Sequence, residues 1–85
     1  MNPMGKIETI IAAIMRGASD NNIGLADLRY VLEEFGFEVR IKGDHFIYTR
    51  EGVAEIVNIQ PLGNKAKAYQ VKQVRTIILK YILAR

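Results

Sequence analysis

At Gly36 the apolar spacing of this chain changes from helical to alternating, and that change limits what the chain can fold into. Before it, Leu25, Leu28, Leu32 and Phe35 fall on one stripe, which predicts a helix over about residues 26–35. Gly36 sits where a left-handed residue ends such a helix. After it, Phe37, Val39 and Ile41 alternate with Glu38, Arg40 and Lys42, the pattern of a half-buried strand. Gly43-Asp44 is a turn signal, so residues 45–50 form a second strand. Glu51-Gly52 turns the chain again, and residues 54–60 form a third strand that Pro61 stops. Spacings this short join antiparallel neighbours, so the middle of the chain is expected to be a three-stranded meander.

Helical spacing returns at both ends. Ile7, Ile10, Ile11 and Ile14 share a face over residues 6–16, and Gly17 closes that helix before the loop Ser19-Asp20-Asn21-Asn22. Residues 62–68 have no apolar period and read as a loop. Val71, Val74, Ile78, Tyr81 and Ile82 then mark a helix over about residues 69–83. The expected order is α-α-β-β-β-α, an α+β fold. Helices cover one face of the antiparallel sheet and the other face is left open. No repeat or long linker divides the 85 residues, which suits a single domain.

The composition removes several functions. Cysteine is absent, so disulfides, thiolate metal sites and cysteine nucleophiles are excluded. That fits a reducing cytoplasm. No apolar run approaches the ~20 residues of a membrane span. The opening Met-Asn-Pro-Met-Gly-Lys has none of the pattern of a signal peptide. One histidine and scattered carboxylates offer no metal-ligand spacing, and no phosphate-cradling glycine motif implies a cofactor. Charge is informative in its distribution. Residues 1–55 hold nine acids and six bases, whereas residues 56–85 hold six bases and no acid. A one-signed half suits a phosphate-backbone partner, and equally suits a solvated basic helix.

Three blocks in order, Leu32-Glu33-Glu34-Phe35-Gly36-Phe37, Lys42-Gly43-Asp44-His45-Phe46-Ile47-Tyr48 and Leu62-Gly63-Asn64-Lys65, resemble the HicA toxins of type II toxin–antitoxin systems. The resemblance covers about residues 25–83. It implies a fold like that of a double-stranded-RNA-binding domain, a helix, three antiparallel strands and a helix. It also implies a metal-independent ribonuclease that cleaves messenger RNA and is restrained by a HicB antitoxin covering its active surface. The family's functional histidine lies in a Gly-x-His pattern at the start of the second strand. Here that pattern is Gly43-Asp44-His45. Two departures stand out. Asp44 occupies a position that is often Ser or Gly, and the helix over residues 6–16 precedes the minimal family unit. That helix bears on antitoxin docking or on homo-oligomerisation, its isoleucine face being either core or a dimer contact.

With His45 as general acid or base, imidazole chemistry suits removal of the ribose 2′-hydroxyl proton or protonation of the leaving 5′-oxygen. A cation is then needed beside the phosphate, and Lys42, Lys65 and Lys67 are the candidates. Arg40 and Lys42 should flank the open face. Lys65, Lys67, Lys72 and Arg75 belong to a loop and helix that superficially resemble the lysine-rich grip of double-stranded-RNA-binding domains. Gly43 and Asp44 supply the turn. Asp44 either orients the imidazole or simply makes a local turn hydrogen bond, the reading favoured by strand alternation. Phe46 and Tyr48 are expected in the core if His45 faces RNA. The competing function is a non-catalytic RNA-binding module built on the basic loop and last helix, with a structural His45.

Overall fold

In a computed structural model, which describes residues 5–85, the helix and strand order is the expected one. It runs α1 (Lys6–Arg16), α2 (Leu25–Glu34), β1 (Glu38–Lys42), β2 (His45–Thr49), β3 (Val57–Ile59) and α3 (Ala68–Tyr81). A short 3-10 turn, Asp20–Asn22, lies between α1 and α2. Met1-Asn2-Pro3-Met4, part of the segment read against a signal peptide, lies outside the described residues. No helix among the described residues is long and apolar enough to cross a membrane.

The strands form one antiparallel sheet in the order β1-β2-β3. Gly43 and Asp44 alone separate the paired residues Lys42 and His45. Gly43 has φ +62°, and the first central position of such a two-residue loop calls for glycine. The loop sets the register: Arg40 opposes Ile47, and Ile47 in turn opposes Asn58.

The three helices and the inner face of the sheet close over one apolar cluster. Ile7, Ile10 and Ile14 from α1 meet Leu28, Val31 and Leu32 from α2, and Val71, Val74, Ile77 and Ile78 from α3. Tyr48, Val57 and Ile59 complete it from the sheet. Burial of each such isoleucine contributes roughly 1.5–3 kcal/mol. Ile7, Ile10 and Ile14 of α1 are therefore core.

Three local expectations need correction. Val39 and Ile41 are exposed, Ile41 to 70%, although their alternation predicted a half-buried strand. β1 is an edge strand whose close neighbour is β2, and Phe37 just before it is its anchor in the core. β3 spans three residues rather than seven. In α3, Ile82 is 88% exposed because it caps the helix at φ +51°, and Ile77 fills the core instead.

The two sheet edges differ. Along β3, the side-chain amides of Gln70 and Gln73, three apart on α3, donate to the main-chain carbonyls of Asn58 and Ile56. Those carbonyls are two apart, as outward-facing groups on one edge must be. Gln70 is the one buried polar residue of the described core. Among the described residues, no side chain hydrogen-bonds the backbone of β1.

Candidate functional site

Strand alternation and the tight Gly43-Asp44 loop assemble the site. On the face turned away from the helices stand Arg40 and Lys42 from β1, His45 and Ile47 from β2, and Asn58 from β3. Lys42, His45, Ile47 and Asn58 line a shallow depression of about 300 Å³. Phe46 and Tyr48 take the opposite face, as expected for an outward His45. Tyr48 is fully buried, and its hydroxyl accepts a hydrogen bond from Arg29 Nε at 2.9 Å. The Arg29 guanidinium lies 3.8 Å from the Phe46 ring centroid, which fixes that ring from the helix side.

The imidazole is held from β3. His45 Nδ1 donates to Asn58 Oδ1 at 2.8 Å. With Asn58 Oδ1 as the acceptor, a neutral ring carries its proton on Nδ1, and Nε2, 3.4 Å from Asp44 Oδ1, is the nitrogen left to exchange a proton with a ligand. Asn58 is itself held twice, by its Val57–Ile59 strand and by the Gln70 amide on its carbonyl. Buried Gln70 thus supports the histidine through one intervening residue.

Asp44 does more than complete the turn. Its Oδ2 accepts from Gln60 Nε2 at 3.0 Å, and its Oδ1 lies 3.4 Å from His45 Nε2. Alternation argued against contact between neighbours i and i+1. Asp44 escapes that argument because it sits in the loop, where the carboxylate folds back over the strand end. The Gln60 amide holds its carboxyl below the usual range, helped by its own backbone N–H and the His45 charge against a smaller opposing effect of burial. Asp44 therefore stays ionised near neutral pH and is a partner for an imidazolium, not a second acid.

The remaining basic residues part company with the site. The loop carrying Lys65 is drawn to the start of α2, where Gly24 and Lys65 form an isolated bridge. Leu25 N–H donates to the Asn64 carbonyl there, and Ala66 N–H to that of Ile23. Lys65 Nζ donates to Asn22 Oδ1 at 3.3 Å. Lys67 is the exposed residue preceding α3, and Lys72 lies close enough to Asp20 to lower its carboxyl. Arg40 and Lys42 thus share the face of His45, while Lys65 and Lys72 have neighbours in the helix layer.

Arg75, expected among the RNA ligands, is engaged within the helix layer. Its guanidinium grips Asp20 through two contacts of 2.8 and 3.0 Å and also donates to the Ile14 carbonyl at 3.0 Å. This fork ties α3 to the end of α1 and the 3-10 turn. Lys80 pairs with Glu55 at 2.9 Å, and Arg85 bridges Glu8 and Glu34 at 3.1 and 3.4 Å. Three of the six bases after residue 55 are therefore matched by acids within residues 1–55.

Asn58 and Gln60 escaped the sequence reading. Asn58 is visible as the polar residue between two apolar ones, but only the β2–β3 register aligns it with His45. No group of three His, Cys, Asp or Glu side chains comes together among the described residues. Comparison of the chain with protein-family models, curated proteins and solved structures finds no match.

Proposed function

We propose that this protein binds RNA on its open sheet face and cleaves it without a metal, with His45 as general acid–base. The observation that carries the reading is the outward imidazole, held by Asn58 at 2.8 Å beside Lys42 and Arg40. A histidine kept only for packing has no use for an oriented ring on an exposed face. In the reaction, His45 Nε2 takes the 2′-hydroxyl proton and the freed oxygen attacks the adjacent phosphorus. The bond from phosphorus to the 5′-oxygen breaks, water protonates that oxygen, and the hydroxide so formed takes up the proton held by His45. The products are a 2′,3′-cyclic phosphate and a 5′-hydroxyl. Lys42, directly across the strand pair from His45, offsets charge on the crowded phosphate. Arg40, on the same face, contributes to holding the backbone.

The three blocks that resemble HicA toxins support the same assignment. They extend it to a cytoplasmic messenger RNA toxin whose HicB-type antitoxin covers this face. The non-catalytic RNA-binding module remains the second reading, and the ionised state of Asp44 favours it to this extent: the face carries a single proton-exchanging group.

The test is incubation of the purified protein with labelled messenger RNA in EDTA, wild type beside His45→Ala. The proposal requires cleavage by the wild type alone, with RNA binding retained by the variant. Equal cleavage by both removes His45 from the mechanism. Binding with no cleavage by either selects the binding module.

A further inference from the structure

The uncovered edge of the sheet has a specific occupant. We infer that β1 pairs antiparallel with β1 of a second copy of this chain, joining two sheets into one of six strands. This inference does not depend on the ribonuclease reading.

Three observations carry it. The first is the contrast between edges. Two glutamines of α3 cover β3, whereas β1 presents its backbone with no side chain bound to it. Bare edges invite pairing, and proteins usually block them with proline, a bulge or inward charges. β1 has no proline and no bulge, its three charged side chains all stand on the open face, and it exposes Val39 and Ile41 on its inner face.

The second is hydrogen-bond direction. A two-residue loop makes Lys42 and His45 a hydrogen-bonded pair, so Lys42, Arg40 and Glu38 turn their main-chain groups toward β2. The N–H and C=O of Val39 and Ile41 therefore point outward.

The third is the residue pattern Glu38-Val39-Arg40-Ile41-Lys42. Paired with itself about Arg40, it opposes Glu38 to Lys42 at both ends and Val39 to Ile41 twice. The outward-facing residues then meet each other and exchange about four main-chain hydrogen bonds. Moving the pairing by two residues either way shortens it to three rungs and loses both Glu–Lys matches: one shift sets Arg40 against Lys42, and the other keeps Glu38 against Arg40 but leaves Ile41 and Lys42 unpaired. The cost is the central rung, where Arg40 meets its copy, with the Glu38 carboxylates of both strands alongside. A two-fold axis normal to the sheet keeps both open faces on one side. The two His45 side chains then lie about 20 Å apart on a continuous surface, from strand spacing and rise. One bound RNA strand can span both.

The interface is small, so the dimer is expected to dissociate on the order of 10–100 μM. Sedimentation equilibrium of the purified protein from low micromolar to about 1 mM, near the standard end of weak association, reads it directly. Glu38→Lys sets like charges against each other at both ends and is expected to weaken the dimer roughly tenfold or more. The double variant Glu38→Lys/Lys42→Glu restores opposite charges and should recover it. Ile41→Lys alters an already exposed side chain and should abolish dimerisation without unfolding. Hydrogen exchange adds a readout of geometry: protection of the Val39 and Ile41 amides should rise with concentration, while that of Arg40 stays constant. A wild type that is monomeric throughout overturns the inference, as does a dimer indifferent to Glu38→Lys and Ile41→Lys. Neither result bears on whether His45 cleaves RNA.

Discussion

Replacing Gln70 by Leu tests the support beneath the candidate site. Gln70 is 4% exposed, and its amide donates to the Asn58 carbonyl on the outer edge of β3. Leu keeps most of the volume, so little cavity forms and the change isolates the hydrogen bond. Loss of one such bond costs about 1 kcal/mol net, and leaving a partly buried carbonyl unpaired raises this toward 2. The apolar gain of Leu offsets a fraction. A destabilisation of about 1.5 kcal/mol follows, equal to roughly 6–12 °C in Tm for a domain of this size. Gln73→Leu is the internal control. Its bond to the Ile56 carbonyl is longer, 3.3 Å, and exposed, so its cost should stay within about 0.5 kcal/mol. Urea unfolding followed by circular dichroism gives both values from the midpoints at constant slope. Cleavage assayed well below the midpoint should also fall for Gln70→Leu, because Asn58 and then His45 lose their anchor. A Gln70→Leu protein as stable as the wild type refutes the edge-covering argument. Equal losses for the two glutamines refute the ranking by burial.

Asn58→Ala removes the acceptor on His45 Nδ1 from an exposed position; stability should change by less than about 0.5 kcal/mol while cleavage falls roughly tenfold or more, read as kcat/KM beside a urea midpoint. Lys42→Ala should reduce the salt slope of RNA binding by about 1, whereas Arg75→Met should leave that slope unchanged and lower the urea midpoint. Stability should also fall in acid. Arg75 holds the Asp20 carboxyl below its usual value, Gln60 that of Asp44, and Tyr81 that of Glu55, while Glu8 is lowered first by its own backbone N–H and then by Arg85. Depressed carboxyls give stability that is complete above their unfolded values and lost as pH falls through the folded ones, so midpoints should hold from pH 7 to about 5 and decline below about 4. Arg75 and Lys80 are raised by Asp20 and Glu55, so their share persists to strongly alkaline pH and is lost only above about 10. A midpoint that rises on acidification would contradict these pairings.

Local pattern determined most of the architecture. The change of period at Gly36, the Gly43-Asp44 turn and the glycine after α1 are signals that a few neighbouring residues carry, so element order and the α+β class were legible. The separation of His45 and Tyr48 onto opposite faces was legible too, because alternation needs only one strand, whereas which face lies inward was set by the helix layer. Burial of β1 was not, since Val39 and Ile41 alternate as well as any core strand and only the reach of the helix layer decides their exposure. Asn58 was hidden for a related reason: its partner is thirteen residues away, across a register that the chain does not display locally. Charge misled most. Along the chain the last thirty residues look like a basic tract, yet folding sets Arg75 on Asp20, Lys80 on Glu55 and Arg85 on Glu8 and Glu34. The order of residues by itself determined which segments are helix or strand and that the histidine and Tyr48 take opposite faces, because those follow from covalent neighbours. Which cations remain beside that histidine was decided only in three dimensions, because electrostatic pairing depends on distance through space and not on separation along the chain.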